Sequence, residues 1–146
     1  MASRNFTHLS RHYAHGRINY STGAFKAVLV ASIPSEANLD AWEYLDDVTI
    51  EIAAGGGYSL GGFDVTMIVA ALDAANDLQA IALSAASPTY ETATISAVGC
   101  IVYQDTGDGA TSPLICFVDY DGTITSTAGN FTGTFDDPVT IAANPA

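Results

Sequence analysis

"TATISAVGCIVYQDTGDGATSPLICFVDYDG", Thr92–Gly122, sets two apolar, β-branched runs on either side of a polar loop. "TATISAVGCIVYQD" and "SPLICFVDYDG" read as the strands of a hairpin joined by the long loop "TGDGAT". Summing positions across that loop puts Cys100 opposite or diagonal to Cys116, where a disulfide is conceivable but unnecessary.

The same punctuation continues outward. "FDVTMIVAAL" and "DLQAIALSA" read as two strands around a turn at Ala74–Asp77, and "VTIEIAA" as a short alternating strand ended by Gly55–Gly57. "GGGYSLGG" is too rich in glycine for an element interior and reads as a loop. "AFKAVLVAS" is the first core strand, and "GNFTGTF" and "PVTIAA" close the chain as short strands. Only "SEANLDAWEYLDDV" has helical spacing, through Leu39, Trp42 and Leu45; with Ser35 or Asn38 as cap it predicts a short helix near residues 36–46. About eight short strands and one small helix predict an all-β fold, an antiparallel β-sandwich or jelly roll, and argue against a parallel α/β fold with its long helices. Residues 1–22 show neither period and read as an extended N-terminal arm before a β-domain over 23–146.

Charge divides the chain at the same place. Of 146 residues sixteen are acidic and four basic, for a net charge of −12, and all four bases, Arg4, Arg11, Arg17 and Lys26, precede the first acid, Glu36. An acidic body repels phosphate, which argues against nucleic acid as a partner. No apolar run approaches the ~20 residues of a spanning helix, and Arg, His and Asn interrupt the N-terminus where a signal peptide has its apolar core. The expectation is therefore no membrane and a chain that stays in the cell that made it. Two cysteines are too few for a disulfide scaffold and read as buried free thiols.

Catalytic constellations are weak. "GYSLG" (Gly57–Gly61) has the pattern of a nucleophile elbow around Ser59, but a strand follows it and no histidine lies beyond His15. His8, His12 and His15 are spaced closely enough to hold a transition metal between them, yet a closed site needs a fourth ligand, and polar contacts of an arm are the preferred reading. "DTGDG" (Asp105–Gly109) and "DYDG" (Asp119–Gly122) offer carboxylates to calcium without the twelve-residue loop and its terminal glutamate; ordinary turn chemistry is preferred. The adjacent pairs Asp46–Asp47 and Asp136–Asp137 read as solvated faces. The expectation is a protein that is not an enzyme and carries no metal or cofactor.

"STGAFKAVL", "DDVTIEIAAGGGYSLGGFDV", the hairpin stretch and "GNFTGTFDDPVTI" occur here in an order that resembles a family of small tailed-phage virion structural proteins of the capsid cement (decoration) type. The resemblance covers roughly Ser21 to Ile141 and rests on Gly23–Lys26, the glycine-tyrosine loop Gly55–Gly62, and the tyrosine-aspartate turn near Pro113 and Leu114. Asp121 in "FVDYDG" departs from the family pattern and puts the shape of that turn in question. The resemblance implies a jelly-roll-like subunit on the outer surface of a virion capsid, made in the host cytoplasm, bridging neighbouring capsomers. Its partners would be the major capsid protein and further copies of itself, as a trimer or a dimer.

Such a subunit works by surface complementarity, and an arm that orders on binding suits it. The expected partner-binding residues are Arg4, Phe6, His8, Arg11, His12, Tyr13, His15, Arg17 and Tyr20: the aromatics as anchors, the arginines for acidic partners. The alternatives are another virion component (tail, tube or head fibre) and a carbohydrate-binding β-sandwich, which needs clustered exposed aromatics.

Overall fold

In the computed structural model, which describes residues 4–69, 71–84, 89–132 and 139–142, every strand pairing is antiparallel. The strands are β1 (Arg4–Asn5), β2 (Ala24–Val30), β3 (Phe63–Val69), β4 (Leu78–Ser84), β5 (Thr89–Asp105), β6 (Leu114–Thr132) and β7 (Val139–Ala142). Their order is β1-β6-β5-β2-β3-β4-β7. The main ladder runs from β1 to β3; β3 pairs β2 through Phe63–Val65 and then passes to β4 through Thr66–Val69. The all-β expectation holds.

The central strands are buried on both faces, which explains their nearly continuous apolar runs. Phe25, Ala27 and Leu29 of β2, with Cys100 and Val102 of β5, face one core; Val28 and Val30, with Ile101 and Tyr103, face the other. The larger core also takes Val65, Met67, Ile81, Ala93, Ile95 and Phe131, so the outer halves of β5 and β6 and the β3–β4 hairpin contribute to it together. The smaller core lies under α2 (Glu36–Ala41), with Leu39, Trp42, Leu114 and Phe117. Ser35 starts that helix as expected: its hydroxyl accepts the Asn38 N–H at 3.1 Å, and the Asn38 side-chain oxygen accepts the Ser35 N–H at 3.1 Å. The helix takes the first part of the predicted span. It ends at Trp42, and a 3-10 turn at Leu45–Asp47 follows.

Several expectations are corrected. The hairpin strands are long, 17 and 19 residues, and "GNFTGTF" begins as the end of β6 instead of a strand of its own. "VTIEIAA" is irregular and contributes a single bridge, Glu51 to Val30. Asp121 opens a bulge inside β6: Tyr120–Thr123 stand opposite Val98, between the pairs Gly99–Asp119 and Ala97–Ile124. Cys100 pairs with Val118 and Cys116 with Val102, so the two thiols are diagonal and free. Asp136 and Asp137 lie outside the described residues.

The glycine loop fills the space where β2 stops short of the outer half of β5. The Thr94 N–H donates to Gly56 O at 2.9 Å. A Cβ on Gly56 would lie 2.3 Å from Thr94 O, and one on Gly62 would lie 1.7 Å from Ala27 O, both at positive φ. Only glycine allows this approach. Ser59, exposed in that loop, is followed by β3 and not by a helix.

The largest correction concerns the N-terminus. Residues 4–20 are not an extended arm; they hold β1 and a second helix, α1 (Leu9–Ala14), and fold onto their own body. β1 continues the sheet beside β6 through Arg4–Phe117 and Asn5–Cys116. Phe6 enters the smaller core, whereas Leu9, Tyr13, Ile18 and Tyr20 belong to the larger one. The segment thus straps the edge of the sheet and contributes to the cores on both of its faces.

Candidate functional site

The nine residues expected to meet a partner divide by burial. Phe6 is 2% exposed and His12 0%, so both are committed to this chain's interior. Tyr13 and Tyr20 are half-buried, their hydroxyls 2.6 Å apart, and the Tyr20 ring stacks on Phe25 at 5.5 Å between centroids. Burial pushes both phenols up. Arg4 pairs with Glu36, one guanidinium nitrogen lying 3.0 Å from the second carboxylate oxygen. Arg17 reaches Glu43 at 3.3 Å, and His8 Nδ1 stands 3.9 Å from its other oxygen. Arg11 and His15 are exposed. Lys26 lies between Asp64 at 3.9 Å and Asp105 at 3.8 Å.

Glu43 is the hub of this region, and no local pattern marks it. Its carboxylate meets Arg17 and His8, and its carbonyl accepts the His12 Nε2–H at 3.2 Å. The Asp47 carboxylate accepts the Glu43 and Tyr44 N–H groups at 2.9 and 3.0 Å, which fixes the chain on which the hub sits. The three histidines do not converge. Among the described residues no three His, Cys, Asp or Glu side chains come together as a metal site.

The aspartates of the β5–β6 loop build turns, and Asp119 braces the bulge inside β6. Asp105 accepts the Gly107 N–H at 2.9 Å and Asp108 the Ala110 N–H at 2.9 Å, while Asp119 accepts the Asp121 N–H at 2.8 Å. Cys100 and Cys116 are sealed in the larger core; burial pushes the Cys100 thiol up to about 12 and raises Cys116 as well.

Two surfaces face outward. A groove of about 360 Å³ runs beside β2 and β3, floored by Phe25, Val65 and Met67 and edged by Tyr20, Ser21 and Asp64. Beyond it, at the far end of β3 and in the turn that follows, Ile68, Val69 and Leu72 are 48%, 47% and 67% exposed. Sequence patterning marks β3 as a strand but not which apolar residues it leaves uncovered, because Ile68 and Val69 continue the run that supplies Val65 and Met67 to the core. Among the described residues no helix is long and apolar enough to cross a membrane. No protein-family model, curated protein or solved structure matches the chain.

Proposed function

We propose that this chain is a structural subunit of a phage virion, a capsid cement protein that docks on the outer surface of the major capsid shell and bridges neighbouring capsomers. The observation that carries the docking is the exposed apolar end of the β3–β4 hairpin, where Ile68 and Val69, on opposite faces of β3, and Leu72 are uncovered beyond the Tyr20–Asp64 groove. The virion assignment rests on the sequence resemblance over Ser21–Ile141. A jelly-roll-like closure of the two halves of β5 and β6 over the larger core, and assembly as a trimer, belong to the same proposal. The reading assigns no catalytic step, metal or cofactor.

Contact through this hairpin end replaces contact through an arm, since Phe6 and His12 are interior and Arg4 and Arg17 already have acidic partners. The test is co-sedimentation of the full chain with capsid shells lacking this subunit, with Leu72→Asp and Ile68→Asp as variants. Wild-type chain should pellet with shells, and each variant should bind about tenfold more weakly or worse, as when an apolar anchor is lost from an interface centre. Binding to purified tails and not to shells would replace cement with another virion component. Binding to neither would end the proposal.

A further inference from the structure

We propose that the segment Arg4–Tyr20 is an acid-released strap: when His12 takes up a proton, the strap leaves the β6 edge and the smaller core. The proposal stands on how His12 is enclosed. Its side chain is fully buried, its Nε2–H donates to the Glu43 carbonyl, and its Nδ1 has no hydrogen-bond partner among the described residues. The neutral tautomer with hydrogen on Nε2 satisfies this site. A second proton, on Nδ1, would place an N–H without an acceptor and a full charge inside the protein.

The groups around the ring reinforce that outcome in part. His8 and Arg17, from its own segment, both disfavour a cation there; Glu43, from the chain after α2, favours one, and the Tyr44 ring packs at 5.4 Å between centroids. Glu43 already faces Arg17 and His8, and desolvation is the largest effect, so His12 is held below the ordinary histidine value of 6.5. The sign follows. A group whose folded pKa is depressed favours the closed strap above 6.5 and loses that contribution as pH falls toward its folded value.

Packing of Phe6 in the smaller core and of Leu9 in the larger one opposes this change, while the polar contacts of the strap are weak. β1 contributes two residues to the ladder, and the Arg4–Glu36 and Thr7–Asp40 contacts are exposed. The strap ends in a turn where the Asn19 side chain accepts the Ser21 and Thr22 N–H groups, a natural hinge ahead of β2. Release would uncover the β6 backbone at Ile115–Phe117 and the place of Phe6.

The experiment is residue-resolved amide hydrogen exchange on the full chain between about pH 7.5 and about pH 5, corrected for intrinsic rates. In wild type the strap amides of Phe6, His12 and Arg17 should open about tenfold more per pH unit below the ordinary histidine value, the linkage of a single proton. The body amides of Ala31 and Ile52 should not follow them. In His12→Gln, which keeps a donor for the Glu43 carbonyl and does not titrate, the strap opening should be independent of pH. Wild-type strap protection that is unchanged across the range would overturn the proposal, as would the same acid opening in His12→Gln, which would move the trigger to the strap's carboxylate partners. Should His12→Gln not fold, the wild-type His12 ring signals decide: protonation at or above the ordinary value with the strap amides still protected also sinks it.

Discussion

Tyr58 joins the glycine loop to the central sheet through one oxygen. Its hydroxyl accepts the buried Leu29 N–H at 3.1 Å and donates to Glu51 at 2.7 Å, while the same Glu51 oxygen accepts the Gly61 N–H at 2.9 Å. Removing the hydroxyl strips a buried donor of its partner, which costs about 1–3 kcal/mol. Tyr58→Phe should therefore lower the unfolding free energy read from urea melts by that amount, and Glu51→Gln by less, because an amide oxygen still accepts both donors. A Tyr58→Phe protein as stable as wild type would show that water replaces the hydroxyl. The loop glycines were legible in the sequence as breakers. The role of Tyr58 was not, because it depends on where Leu29 stands, 29 residues earlier.

The strap and α2 show opposite degrees of legibility at the scale of elements. α2 announced itself through Ser35, Asn38 and the spacing of Leu39, Trp42 and Leu45, all local signals. The strap did not, because its apolar residues serve two cores. Phe6 belongs to one, Leu9 and Tyr13 to the other, and α1 at six residues is too short to show a period. Its arginines looked like the binding determinants, and its phenylalanine carries the packing instead. Phe6→Ala should destabilise the protein by about 3–5 kcal/mol as a core truncation. Arg4→Ala should cost less than about 1 kcal/mol, since the Arg4–Glu36 pair is exposed. Thermal unfolding of both variants, followed by the fluorescence of Trp42 beside Phe6, checks the ranking. Equal effects would mean that the strap is held by charge.

At the scale of the whole molecule, the tyrosines give a pH limit opposite to the one set by His12. Tyr58, Tyr103 and Tyr120 are 3%, 2% and 8% exposed, and burial pushes all three phenols up. The unfolded chain then ionises first. The contribution of these tyrosines is whole below about pH 10 and is lost above it, by up to about 1.4 kcal/mol per pH unit for each. Phenolate absorbance during alkaline titration should lag behind that of free tyrosine and then rise together with unfolding; a native protein that titrates like free tyrosine would contradict the burial. The sequence by itself determined the all-β class, the central hairpin with its diagonal or opposite thiols, the capped helix and the β3–β4 turn, because strand period, caps and glycine breakers act between near neighbours. It also determined the segregation of charge. Only the tertiary structure decided that the basic segment is a strap on its own body, that Glu43 gathers it, that the hairpin strands run on through a bulge at Asp121, and that Ile68, Val69 and Leu72 stay uncovered. Each of these depends on residues distant in the chain competing for the same buried faces of one sheet, a contest that no local pattern records.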